Sequence, residues 1–168
     1  MSNVVRLEWF EIDSGSMVGL SRCLENIRME QGFGWGYDKG FTDQAKDSIM
    51  GAMGEVATAK HLHIYFGCHV NSWKEPDLIY NGKHLQVRTQ QKKNNNFLII
   101  RKNAKPEDLY ILVLENTPEF TIAGAIYAKD AMQDKYLTDF GQAHRPKVWG
   151  IPQQDLFPLK EILKKELV

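Results

Sequence analysis

Two stretches of the chain decide how it folds: GAMGEVATAKHL at residues 51–62 and EPDLIYNGKHLQVRTQ at residues 75–90. The first carries small apolar residues at helical spacing and lies in a helix predicted over about 42–61. The second holds two strand-like runs joined by Asn81-Gly82, a dipeptide typical of a two-residue β-hairpin turn. The centre of the chain is therefore predicted to be a helix with a hairpin further along the chain.

The remaining patterns predict a single α/β (α+β) domain in which a central mixed β-sheet is flanked by helices. Residues 1–40 supply an N-terminal strand, a helix and a Gly- and aromatic-rich loop, and residues 41–168 supply the core and a C-terminal helix. The predicted elements, besides the central helix, are a strand at 4–12, a helix capped by Ser14 or Ser16 with a buried stripe of Met17, Leu20, Leu24 and Ile27, strands at 64–70, 77–80, 84–89, 97–101, 109–114 and 120–127, a short helix at 128–135 and a closing helix at 155–167.

The composition excludes several classes of protein. With 168 residues, 43% of them apolar and 25% charged, the chain is long enough to bury a core and too balanced for a disordered or fibrous protein. Two cysteines, Cys23 and Cys68, are too few for a disulfide scaffold. The N-terminal segment carries charge inside its apolar run, unlike a signal peptide, and no stretch approaches the roughly 20 apolar residues of a membrane span. We expect a cytoplasmic protein without a membrane partner.

The formal net charge of zero hides an uneven distribution. Residues 81–105 contain no acidic side chain, whereas the flanking segments are acidic overall. Because lysine and arginine neutralise backbone phosphates, this segment predicts a nucleic-acid-binding strip; a solvated hairpin that pairs with its acidic flanks is the alternative. Its seven basic residues are Lys83, Arg88, Lys92, Lys93, Arg101, Lys102 and Lys105.

A Gly- and aromatic-rich loop, GFGWGYDKGF at residues 32–41, adds aromatic side chains to this candidate interface. Trp35 is the main candidate, because an indole ring stacks on bases or wedges into a groove. The same loop is equally well explained as a lid over the core.

Four side chains in the two deciding stretches form a candidate site. Glu55 lies inside the helix with small residues one turn away on both sides, which lets a bulky or hydrated group approach its carboxylate. Asp77 opens the first hairpin strand, and Gln86 and Arg88 lie two apart on the return strand, hence on one face. Singly, each is better explained as a solvated polar residue. Together, two carboxylates, an amide carbonyl and a cation suit Mg²⁺ or Mn²⁺ and phosphodiester hydrolysis.

These motifs resemble the PD-(D/E)XK nuclease superfamily, which has the restriction-endonuclease-like fold. More narrowly, they are similar to small phage and prophage proteins with a helical GE-x-A-x-AK-x-L segment, a PD hairpin and an E-V-R-T strand. The likeness continues through DLYILV, FTIAGAI and WGIPQQDLFPL and spans about residues 51–159. It implies a metal-dependent DNA nuclease, in which Glu55 is the helix acid, Asp77 the central metal ligand, Gln86 the second acid position, also a ligand, and Arg88 the lysine position.

Two of these four positions depart from the superfamily pattern. Gln86 replaces an acid, so the site loses one negative charge and would hold Mg²⁺ weakly. Arg88 replaces the lysine that orients the attacking water; an arginine does not deprotonate, although it still stabilises developing charge. The sequence therefore leaves three hypotheses: a weakened nuclease, a catalytically inactive DNA-binding protein on the nuclease fold, and a phage-encoded module that binds a host or phage protein. Endo- or exonuclease action and homodimerisation are also left open.

A histidine and cysteine cluster offers a different kind of metal site. His61, His63, Cys68 and His69 lie within nine residues, yet their spacing matches none of the usual zinc patterns. No zinc is expected.

Overall fold

The structure is a computed structural model and describes residues 3–29, 40–70, 75–93, 96–142 and 146–164. Two short 3₁₀ turns, Asp134–Tyr136 and Gln153–Asp155, accompany the regular elements. Those elements, in chain order, are β1 (Val4–Arg6), α1 (Trp9–Arg28), α2 (Phe41–Leu62), β2 (Leu78–Tyr80), β3 (Lys83–Gln91), β4 (Phe97–Ile100), β5 (Leu109–Asn116), β6 (Glu119–Tyr127), α3 (Ala128–Ala131), β7 (Leu137–Thr138), β8 (Val148–Pro152) and α4 (Leu159–Lys164).

The strands form two sheets. The larger has the order β1-β6-β5-β3-β2, in which β3 and β5 pair in parallel and every other pair is antiparallel. The smaller is antiparallel with the order β4-β8-β7. The chain leaves the larger sheet after β3, contributes β4 to the smaller one, and returns as β5. The predicted single α/β domain with a mixed β-sheet and helices is confirmed, whereas the second, smaller sheet was not predicted.

Two apolar cores lie on opposite faces of the larger sheet. Helix α2 covers one face, where Leu85, Val87 and Ile111 are buried against it. The smaller sheet covers the other face through Leu98 and Ile151. Strand β5 is consequently apolar on both faces, which is the pattern of a strand enclosed between two layers.

Several predicted boundaries are wrong. The strand expected over residues 4–12 ends at Arg6, because Glu8 and Glu11 form a capping box that starts α1 at Trp9 instead of beyond Ser14. Residues 64–70 form no strand, and β7 and β8 were not predicted. In the part of the C-terminus that the structure describes, the closing helix begins only at Leu159, after Pro158.

The buried face of α1 is also not the predicted one. Its buried residues are Gly15, Val18, Gly19 and Cys23, whereas Met17, Leu24 and Ile27 are exposed. The small residues form the buried face because they let α1 approach α2 closely. A β-carbon on Gly19 would lie 2.6 Å from the carbonyl oxygen of Ser48. Larger apolar side chains on that face would hold the helices apart. No helix among the described residues is long and apolar enough to cross a membrane.

We predict that Gly19→Ala lowers the free energy of unfolding by about 1–3 kcal/mol, because the added methyl group overlaps the α2 backbone. Gly51→Ala is the matched control, since a β-carbon there meets no atom within 4 Å. It should raise the free energy of unfolding by roughly 0.5–1 kcal/mol through helix propensity. Urea titrations measure both; equal effects from the two substitutions would contradict the close helix crossing.

Candidate functional site

Helix α2 places Glu55 against the larger sheet. The neighbouring Gly54 packs directly on β3, and a β-carbon at that position would overlap the side chain of Thr89. This close approach leaves the carboxylate of Glu55 only 5% exposed. A carboxylate so deeply buried needs a compensating partner, since burial disfavours its charged form.

The partner of Glu55 is Arg22, on helix α1. Arg22 Nη1 donates to Glu55 Oε1 at 2.6 Å and Nη2 donates to Oε2 at 2.9 Å, a bidentate ion pair. The third nitrogen of the guanidinium, Nε, donates a hydrogen bond to the carbonyl oxygen of His69 at 2.7 Å. The bulky group that approaches Glu55 is therefore a guanidinium from the same chain.

The two charges of this pair shift each other's titration. Burial raises the pKa of Glu55 to about 7, against the opposing effect of the hydrogen bonds from Arg22. The negative charge of Asp77 raises it further, whereas the charge of Arg88 lowers it. Burial lowers the pKa of Arg22, but the hydrogen bonds and charge of Glu55 outweigh this and raise it above its ordinary value.

The other three predicted site residues meet at the edge of β3. Asp77 precedes β2 and accepts hydrogen bonds on Oδ2 from the backbone N–H of Val87, at 2.7 Å, and from Arg88 Nη1, at 3.2 Å. Arg88 Nη2 donates to Gln86 Oε1 at 3.3 Å. Glu55, on the neighbouring helix, is close enough for the charges of both Asp77 and Arg88 to shift its pKa. The structure thus joins Asp77, Gln86 and Arg88 by hydrogen bonds, whereas Glu55, on helix α2, interacts with Asp77 and Arg88 through their charges.

A fifth side chain, Asp108, extends this cluster and was missed by sequence reasoning. It lies just before β5, is 5% exposed, and accepts a hydrogen bond from Gln86 Nε2 at 3.3 Å. His84 Nδ1 lies 3.6 Å from its other oxygen, Oδ1, which has no hydrogen-bond partner among the described residues. The guanidinium of Arg88 stacks over Tyr110 at 5.1 Å. Gln86 therefore links Arg88 to the buried carboxylate of Asp108, just before the neighbouring strand β5.

Arg22 was missed for a definite reason. It follows Val18 and Gly19 by four and three positions, so it lies on the buried face of α1. A charged residue on a buried helix face indicates a buried partner. The apolar stripe of Met17, Leu24 and Ile27 obscures that signal, because it is exposed although its spacing is typical of a buried face.

The donor set suits a hard divalent cation in type. Glu55 and Asp77 offer carboxylate oxygens and Gln86 an amide carbonyl, and Mg²⁺ is commonly held by one or two carboxylates together with substrate phosphates. Three or more His, Cys, Asp or Glu side chains do not converge on one point anywhere in the described ranges. Both carboxylates accept hydrogen bonds from arginines, so a metal ion at Glu55 requires Arg22 to move.

The predicted nucleic-acid-binding residues fall into three groups. The first group is exposed and consists of Lys92, Lys93, Arg101 and Lys102. Arg101 lies near Arg88, and partial loss of solvent around its guanidinium and the positive charge of Arg88 both lower the pKa of Arg101. Lys83 is half-buried, with Nζ 3.3 Å from the hydroxyl of Tyr127. Trp35 lies outside the described residues.

Comparisons with protein-family models, with curated proteins and with solved structures found no match for this chain. The class that the structure defines is therefore a mixed α/β domain with a cluster of acids, arginines and one glutamine at a sheet edge.

The raised pKa of Glu55 predicts a specific pH dependence. Between about pH 4.5 and 7 the folded protein keeps a proton that the unfolded chain has released, so the free energy of unfolding falls as the pH rises. The fall attributable to Glu55 is at most about 3 kcal/mol. Glu55→Gln removes this pH dependence. Urea titrations give the free energy of unfolding of wild type and of the variant, and the wild-type value minus the variant value should decrease from about pH 4.5 to 7 and then level off.

Glu25→Gln is the control for this experiment. Glu25, at the surface, is paired with the exposed Arg28, whose hydrogen bonds lower the pKa of Glu25, so the contribution of Glu25 is complete above its unfolded pKa and disappears only as the pH falls. The corresponding difference for Glu25→Gln should be level from pH 5 to 8. A level difference for Glu55→Gln would show that burial does not raise its pKa.

Proposed function

We propose that the protein is a metal-dependent DNA nuclease of the PD-(D/E)XK type with a restriction-endonuclease-like fold. The observation that supports this most is the hydrogen-bonded group of Asp77, Gln86 and Arg88 at one edge of the sheet, near enough for the charges of Asp77 and Arg88 to act on the buried Glu55 of helix α2. The helix, hairpin and parallel strand pair that position them agree with the resemblance of their motifs.

Each residue has a role that its chemistry permits. Glu55, Asp77 and the Oε1 atom of Gln86 would hold Mg²⁺ or Mn²⁺, which supplies an activated water and charge neutralisation when bound. Arg88 would stabilise negative charge on the phosphate through its guanidinium group, without acting as a base. Asp108 accepts the amide N–H of Gln86 and so fixes its carbonyl oxygen toward Arg88.

The approach of DNA to this centre follows strands β3 and β4. Gln90 Nε2 donates to the carbonyl oxygen of Phe97 at 2.7 Å, and Arg101, at the other end of β4, lies near Arg88. Arg88, which donates to Asp77, therefore has a second guanidinium near it. Two arginines at one place suit a phosphodiester, because the guanidinium fork matches phosphate oxygens.

A second candidate function is DNA binding without hydrolysis. It is favoured by the bidentate pair of Arg22 with Glu55 and by the neutral side chain at Gln86. In this arrangement two arginines balance the two carboxylates of the centre, so the protein needs no metal ion to stabilise them.

The two candidates are separated by DNA cleavage assays with Mg²⁺ and Mn²⁺. The nuclease proposal predicts cleavage that Asp77→Asn lowers by about 100-fold or more, because the metal supplies several kcal/mol of transition-state stabilisation. The double variant Gln86→Glu/Asp108→Asn should cleave faster than wild type, since it moves a carboxylate into the centre while an amide at 108 preserves the hydrogen bond. Gln86→Glu alone should gain less, because its carboxylate faces Asp108.

The control for Asp77→Asn is Asp134→Asn, an exposed acid in a 3₁₀ turn, which should cleave like wild type. Absence of cleavage by wild type and by the double variant, with DNA binding intact, would reject hydrolysis and leave DNA binding as the function. Absence of both binding and cleavage would reject both candidates.

The basic strip makes a separate prediction about binding. Arg101→Ala/Lys102→Ala should weaken DNA binding and flatten the slope of log K against log salt by roughly 1–2, because about 0.9 is lost per phosphate contact. Lys46→Ala, on the exposed side of α2, should leave both quantities unchanged. Fluorescence anisotropy at several salt concentrations measures them; equal slopes for all three proteins would remove these residues from the interface.

A further inference from the structure

The ion pair between Arg22 and Glu55 stands where the proposed metal site needs a free carboxylate. We propose that Arg22 is a phosphate-released lock: it holds Glu55 in the free protein and transfers to a backbone phosphate when DNA binds. Glu55 is then available to the metal ion, so DNA binding and metal binding strengthen each other. This inference rests on the proposed metal-dependent nuclease function and adds a regulatory step to it.

The charges of the centre support this coupling. In the free protein Arg22 and Arg88 balance Glu55 and Asp77. A divalent ion alone adds two positive charges beside two guanidinium groups, which repel it. A phosphodiester that arrives with the metal brings negative charge and offers Arg22 a new partner. Metal and DNA are therefore each favoured by the presence of the other, as reciprocal linkage requires.

The geometry of Arg22 permits the transfer. Its guanidinium presents both Nη atoms to Glu55, and the same fork binds the two oxygens of a phosphodiester. The side chain is 22% exposed, whereas that of Glu55 is 6% exposed, so the arginine is the member of the pair that ligands reach from solvent. Its long flexible stem moves without a shift of α1, whose backbone is held on α2 at Gly19.

The lock is tested by calorimetric titration with Ca²⁺, which binds oxygen ligands, in the absence and presence of a saturating DNA oligonucleotide. For wild type, DNA should lower the Kd for Ca²⁺ at least about tenfold, within the usual range of coupling between sites. For Arg22→Gln, Ca²⁺ should bind without DNA at least about tenfold more tightly than to wild type, and DNA should change its Kd less than about twofold, since the lock is gone.

Arg28→Gln is the matched control, because it removes an arginine from the same helix that forms an exposed pair with Glu25. It should reproduce the wild-type Kd values and the wild-type effect of DNA. Arg22→Lys serves as the second variant if Arg22→Gln does not fold. A lysine makes a single-point contact with Glu55, so its Ca²⁺ affinity without DNA should lie above that of wild type.

Two different failures are distinguishable. If Ca²⁺ binds wild type and the Arg22 variants equally tightly and Asp77→Asn abolishes that binding, the metal site stands and the lock is wrong. If Ca²⁺ binds neither wild type nor an Arg22 variant, with or without DNA, the metal site itself is absent. The proposed metal-dependent function then fails together with the lock.

Discussion

The burial of the Glu55 carboxylate is the constraint on which the rest of the site depends. Helix α2 presses it against β3 at Gly54, and an ionised carboxylate in such a place is unfavourable without a partner. Arg22 is that partner, and it reaches Glu55 only because α1 crosses α2 closely at Gly19. The packing of two helices on the sheet therefore supplies the buried carboxylate with its partner, and that carboxylate is the helix acid of the candidate site.

A second set of hydrogen bonds gives the sheet edge its polarity. It runs from Asp77 through Arg88 and Gln86 to Asp108 and joins residues from β3 and from the segments before β2 and β5. Each link has a donor on one side and an acceptor on the other. Such a connected network favours one arrangement of its side chains, although Oδ1 of the buried Asp108 has no hydrogen-bond partner among the described residues.

Local patterns predicted the parts of the fold that depend on local chemistry. The Asn81-Gly82 turn, the helix around Glu55 and the Gln86–Arg88 strand are all present, and Asp77, Gln86 and Arg88 are joined by hydrogen bonds. Arg22 and Asp108 were missed because their roles arise from helix crossing and parallel strand pairing, which residue spacing does not report. The predicted buried face of α1 was wrong because an apolar stripe does not report the close helix approach that glycines permit.

Asp108 also gives a physical reason for glutamine at position 86. The amide donates to Asp108 and accepts from Arg88, and a glutamate there has no proton to donate at neutral pH. Two carboxylates would then face each other beside a buried strand, and one would take up a proton. The hydrogen bond between Gln86 and Asp108 thus explains both the amide at position 86 and the buried carboxylate at position 108. The effect of Gln86 on the candidate metal site depends on its partner across the sheet as much as on its own charge.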